Sequence, residues 1–231
     1  MSSLADEVVR RLRAAYEPAA DPERAAGAAA YMRDQFPFLG IATPERRRLT
    51  RAALRDLPAP TEDELAAVAR ALWAEPEREL QYAGTDYLRR HVRVAGPGFV
   101  DVVHELVTTK AWWDTVDALA AHVAGPLVRA HPELGATMDR WVADDHLWVV
   151  RTALLHQVSA GHETDAERLF RHCRLRAGDR DVFIRKAIGW ALRTYAAVAP
   201  DAVERFVEAT PALSPLSVRE AMRGVARARS G

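Results

Sequence analysis

The chain has 231 residues, 49% of them hydrophobic, enough to enclose a sizeable core and to place it among globular proteins. Its 32 basic and 32 acidic residues cancel, so it is not one of the strongly basic nucleic-acid domains recognisable from charge alone. Cys173 is the only cysteine, which excludes an intrachain disulfide and suits the reducing cytoplasm, and no apolar run approaches the roughly 20 residues that span a bilayer.

Helical signals begin at once. MSSLADEVVRRLRAAY sets apolar residues three and four apart among charges, which predicts an amphipathic helix and not the basic start and apolar run of a secretory leader. PAADPE breaks this helix near residue 20. Tyr31 stands beside MRDQF, and in the following GIATPERRR, Thr43 is expected as the N-cap with Pro44 at the first helical position. Arg46, Arg47, Arg48 and Arg51 read as a solvated helix face from which one or two side chains reach phosphate. After DLPAP, the capping box Thr61-Glu62-Asp63-Glu64 introduces LAAVARALW. EPERELQYAGTDYL, FVDVVHELV, KAWWDTVDAL, DDHLWVVRTALL, FIRKAIGWALR and DAVERFVEA follow, separated by GPG at 96–98, HP at 131–132 and SAGH at 159–162. A second capping-box pattern stands at Ser217-Val218-Arg219-Glu220. No segment alternates with period two, so the expected class is all-α.

Four windows resemble one another: YAGTDYL (82–88), WDTVDAL (113–119), WVVRTAL (148–154) and KAIGWAL (186–192). Their final leucines, Leu88, Leu119, Leu154 and Leu192, are 31, 35 and 38 residues apart. That period fits paired-helix repeats, in which each unit covers its apolar face by stacking on its neighbours. The expected architecture is a solenoid whose concave side is lined by equivalent helices.

KAWWDTVD carries the sharpest question, because an ionised carboxylate among tryptophans is costly unless it meets solvent or a cation. At helical spacing, Trp113 shares a face with Asp117, Trp148 with Arg151, and Lys186 with Trp190. Taken singly, each tryptophan reads as repeat-interface core and each charge as solvated rim. Three such pairs in successive repeats favour one groove.

Aromatic faces and a carboxylate attract a cation. Arg151 and the basic stretch from Arg168 to Arg193, which includes Lys186 and has only Asp179 and Asp181 as acids, favour phosphates. Alkylated DNA is anionic along its backbone and cationic at a methylated purine. Asp114 is expected to point away from the groove, and Trp73, Trp112 and Trp141 to pack in repeat interfaces. His162, His172 and Cys173 lack any metal-ligand spacing, so no metal is expected.

KAWWDTVDALAAHVAGPLV, DDHLWVVRTALLHQV, FIRKAIGWALRTYAAVAPDAV and LSPLSVREAMR resemble the AlkD-like DNA alkylation repair glycosylases, and MRDQFPFLGIATPERRRL with EPERELQYAGTDYL resembles their N-terminal half. The resemblance implies a right-handed HEAT-like helical-repeat solenoid, a single domain over 1–231, with a concave DNA-binding face. It implies a monofunctional glycosylase that releases positively charged 3- and 7-alkylpurines from double-stranded DNA, with no cofactor or metal and without base flipping. Asp117 is then the catalytic carboxylate, and Trp113 and Trp190 are aromatic walls at the lesion. Arg151, Lys186, Tyr31 and Trp148 are DNA contacts. Ala42 stands where the best-known members carry a polar side chain, so a DNA contact from that loop is not assumed. The expected protein is a cytoplasmic monomer, and the competing reading is a noncatalytic scaffold for DNA structures or proteins.

Overall fold

The computed structural model of the chain describes residues 3–230, and their regular structure is all helical, with no strand. The chain divides into two compact units after Val102.

In the first unit, α1 (Leu4–Tyr16) begins at a capping box between Ser3 and Asp6 and buries Ala5, Val8, Leu12 and Tyr16, one stripe at spacings of three and four. α2 (Pro22–Tyr31) is capped by Asp21. α3 (Thr43–Ala53) starts one residue earlier than expected: Ala42 is the N-cap and makes no side-chain cap bond, while Thr43 and Pro44 are already helical. α4 (Glu62–Ala74) has the predicted Thr61–Glu64 capping box. α5 (Arg78–His91) packs on α4, and α1 packs on α3 and α4. Gln81 of α5 donates to the carbonyls of Leu72 and Glu75 at 3.0 and 2.7 Å, which satisfies acceptors at the end of α4.

The loop between α2 and α3 is tied down by two consecutive charged residues of α5. Glu79, 2% exposed, accepts from the backbone N–H groups of Leu39, Gly40 and Ile41 at 2.9, 2.8 and 3.2 Å. The guanidinium of Arg78, fully buried, lies 3.8 Å from the Phe36 ring centroid. Gly40 has φ +84°, and a Cβ there would sit 2.1 Å from the Asp21 carbonyl oxygen, so the loop requires glycine at this point.

α6 (Val100–Thr108) crosses the division between the units. In the second unit, α7 (Trp113–Leu119) continues through a π turn at Ala120–Ala124 into α8 (Gly125–Ala130). Pro126 supplies no N–H to the helical ladder, and the wider turn absorbs the lost bond just ahead of it. α9 (Gly135–Trp141), α10 (Leu147–Leu155), α11 (Ala166–Leu175), α12 (Val182–Tyr195), α13 (Pro200–Glu208) and α14 (Pro215–Ser230) complete the unit. α7 packs on α10, α10 on α12, and α12 on α14, so three of the four predicted windows lie on helices that are successive neighbours.

The repeat leucines Leu88, Leu119, Leu154 and Leu192 are 0%, 0%, 2% and 0% exposed, each contributing about 1.5–3 kcal/mol by burial. α14 starts two residues before the predicted box: Ser214 Oγ accepts from the Ser217 N–H at 3.1 Å, and Ser217, inside the helix, bonds the Arg185 carbonyl at 2.9 Å. Trp73 and Trp141 are buried as expected.

Candidate active site

Asp117 lies in the middle of α7, one turn after Trp113 and just ahead of the π turn. It meets the cation that the sequence demands. Arg151 of α10 donates from Nε to Asp117 Oδ1 at 2.7 Å and from Nη2 to Oδ2 at 2.8 Å, a fork-on-fork pair. The same guanidinium donates from Nη1 to the Phe183 carbonyl at the start of α12. One arginine therefore links three neighbouring helices. The side chains of Arg151 and Asp117 are 6% and 16% exposed, so the arginine is enclosed and the carboxylate keeps an edge toward solvent.

Burial pushes the Asp117 carboxyl above its ordinary value; Arg151 pulls it back by hydrogen bonding and charge, and Asp114 adds to the rise. Both Asp117 oxygens accept from the guanidinium, a geometry that belongs to the ionised carboxylate. The result is a carboxylate that is fixed in orientation and under-solvated even with its partner. A second positive charge arriving at its exposed edge is stabilised more than in water.

The tryptophans separate into two kinds. Trp113 and Trp190 are half-buried, and Trp190 follows exposed Lys186 by one turn on α12. Trp148 is 8% exposed, its ring centroid 5.6 Å from that of Trp112 and 5.0 Å from that of Phe183, and Trp112 and Phe183 are 5.4 Å apart. Trp148, expected as a DNA contact, thus has most of its surface in this aromatic cluster. The cluster also supports the Phe183 backbone whose carbonyl holds Arg151.

Arg151, expected as a phosphate contact, makes three hydrogen bonds within the fold, two to Asp117 and one to the Phe183 carbonyl. Sequence reasoning did not find Phe183, because its polar contribution is a main-chain oxygen that any residue would supply. Asp181, which caps α12 by accepting from the Phe183 N–H at 2.6 Å, was the only local signal that this backbone is fixed.

The basic stretch from Arg168 to Arg193 is largely used within the fold. Arg168 and Arg171 bond Asp139 at 3.2 and 2.9 Å, Arg176 bonds the carbonyls of Val142 and Asp144, Arg185 bonds the Asp179 carbonyl at 2.8 Å, and Arg193 pairs with Glu220. Asp139 also bonds the buried His172 at 2.7 Å, which places His172 in a structural network. Among the described residues, no group of three or more His, Cys, Asp or Glu side chains converges as metal ligands, and no helix is long and apolar enough to cross a membrane.

In the first unit, Tyr31 is 72% exposed and borders a cavity of about 250 Å³ that Phe38, Ala42, Thr43 and Tyr82 also line. Arg46 departs from the solvated face expected for its run: it is 4% exposed and pairs with Asp86 at 2.9 Å.

A solved structure described as "Predicted DNA alkylation repair enzyme from Enterococcus faecalis" is 32% identical, with a TM-score of 0.81 over 88% of this chain and 95% of that one. Among curated proteins no match is found. Residues 12–225 match the family of DNA alkylation repair enzymes, so the chain belongs to that family.

Proposed function

We propose that this protein is a monofunctional DNA N-glycosylase that releases cationic 3- and 7-alkylpurines, such as 3-methyladenine and 7-methylguanine, from duplex DNA. The observation that carries the reading is the Asp117 carboxylate, oriented by Arg151 and left with an exposed edge on the helix that also bears Trp113. An alkylated purine is already a positively charged leaving group, so no general acid has to protonate it. As its glycosidic bond breaks, positive charge grows on the deoxyribose. Asp117 stabilises that oxocarbenium-like sugar electrostatically, as carboxylates do in glycoside hydrolysis, and orients the attacking water.

In this mechanism Trp113 and Trp190 wall the sugar, and exposed Lys186 meets phosphate. Arg151 acts through Asp117: it holds the carboxylate ionised and fixed, and it does not touch the DNA. Tyr31 contacts the DNA from the first unit. The base is not flipped into a pocket, and the protein acts as a cytoplasmic monomer with no metal or cofactor. Uncharged lesions, which leave without the advantage of their own positive charge, are poor substrates.

The test is release of 7-methylguanine from methylated duplex DNA by the purified protein and by Asp117→Asn. Release by the first and a loss of at least about a hundredfold in the second is expected, the scale of removing one preorganised electrostatic group. Equal behaviour of the two would leave a noncatalytic DNA-binding scaffold as the better description.

A further inference from the structure

A second cavity in the first unit, about 260 Å³, opens between α3 and α5. Its rim carries four arginines, Arg47 and Arg51 one turn apart on α3 and Arg89 and Arg90 in the last turn of α5. All four are exposed. The one carboxylate in its lining, Asp86, is already shared: Arg46 holds it at 2.9 Å from the buried side and Arg47 approaches it at 3.5 Å. No ion-pair partner is found for Arg51, Arg89 or Arg90 among the described residues. Elsewhere in this balanced chain arginines are usually neutralised by acids or carbonyls, as Arg13, Arg168 and Arg229 are. Four guanidinium groups around one concavity with a single shared acid repel one another, an arrangement that folding alone does not favour.

The cavity floor supplies what a ligand with an anionic head needs. Leu54 and Tyr87 line it and offer apolar surface to whatever carries the anion. An anion that accepts from several planar guanidinium forks has the geometry of a phosphate, which presents several acceptor oxygens at once. The volume exceeds that of a phosphate alone and leaves room for an attached sugar against the apolar floor.

We propose that the α3/α5 cavity is a phosphate-binding site, with Arg47, Arg51, Arg89 and Arg90 engaging the anion. Its ligand in the proposed function is a phosphodiester of the DNA backbone together with its deoxyribose, and to that extent the inference rests on that reading. A free phosphate ion offers the same chemistry.

The experiment compares the full-length wild type with Arg51→Gln/Arg89→Gln and with a control, Arg55→Gln/Arg227→Gln, which removes two exposed arginines outside the cavity. Binding to undamaged duplex is measured by fluorescence anisotropy from about 50 to 300 mM salt, and inorganic phosphate is titrated by calorimetry. Loss of one backbone contact lowers the salt slope by about 1 and weakens binding roughly tenfold at low salt in the cavity variant, with a smaller effect in the control. An unchanged slope, with phosphate heat present in wild type and lost in the cavity variant, also supports the site and assigns it to the free ion.

Equal loss in both variants reduces the effect to net charge and overturns the proposal, as does no change in slope or phosphate heat. The two readings fail separately. Asp117→Asn abolishes excision while keeping the slope, and the cavity variant lowers the slope. If neither wild type nor variant excises, the glycosylase reading falls while the phosphate result stands.

Discussion

Replacing Arg151 with methionine removes a guanidinium while nearly keeping its volume, and so tests what holds Asp117. The wild-type side chain makes two charge-assisted bonds to the carboxylate at 2.7 and 2.8 Å and a third bond to the Phe183 carbonyl. Methionine leaves the carboxylate with no partner in a site where 16% of its side chain is exposed. Breaking one side of a buried pair costs about 3–5 kcal/mol, and the remaining exposure of Asp117 puts the expected value near 3. At roughly 2–4 °C per kcal/mol for a chain of this size, the melting temperature falls by about 6–12 °C.

Asp117→Leu/Arg151→Met removes both charges and should recover most of this loss, because matched apolar replacement of a buried pair is often close to neutral. Calorimetry with urea denaturation of the three proteins measures both steps, and 7-methylguanine release from Arg151→Met, expected to fall with the carboxylate no longer oriented, reads the same link in function. A single-variant loss below about 1 kcal/mol, or a double variant no more stable than the single, would refute the claim that Arg151 holds Asp117.

The acid limb of single-turnover excision should lie above the pH of an ordinary carboxyl. The active form is ionised, burial raises the Asp117 pKa, and activity is lost as pH falls through that raised value. A limb at or below the ordinary value would count against Asp117 as the group titrated. His156, fully buried, is held down to about 4 from 6.5, mainly by desolvation, with His172, Arg168 and Asp139 facing it. The unfolded chain takes up that proton first, so stability should fall by about 3 kcal/mol as pH drops from 6.5 through 4, and His156→Leu should flatten the dependence in urea denaturation. Asp139, lowered to about 2, titrates below this window. A Cβ at Gly125 would sit 2.1 Å from the His156 carbonyl oxygen, so Gly125→Ala should cost about 1–3 kcal/mol, measured as a shift in the urea midpoint with an unchanged slope.

Local physics made the helices legible. Spacings of three and four, the capping box at Thr61, and the breakers between segments all depend on neighbours in sequence, and the four repeat leucines are buried as their common pattern required. The two misplaced helix starts, at Ala42 and Ser214, arose where a threonine or a serine inside the first turn resembles the cap that precedes it.

Asp117 and Trp113 were readable as a pair because one helical turn joins them. The need of Asp117 for a cation was readable too, but nothing in one strip of sequence says that the cation is Arg151, from the next repeat, rather than a ligand. Partners between helices are chosen by packing. α10 lies between α7 and α12, which turns Arg151 and Trp148 inward, while Trp113, Trp190 and Lys186 keep surface. The same holds for the arginines. Their clustering between 168 and 193 is visible in the sequence, yet acids and carbonyls distant in the chain absorb most of it, while four exposed arginines meet around one cavity between α3 and α5. Sequence thus determined which segments are helical and which faces are apolar, since those follow from backbone geometry over a few residues. Only the tertiary structure decided which charges neutralise one another and which remain for a ligand, since that depends on distances across helices.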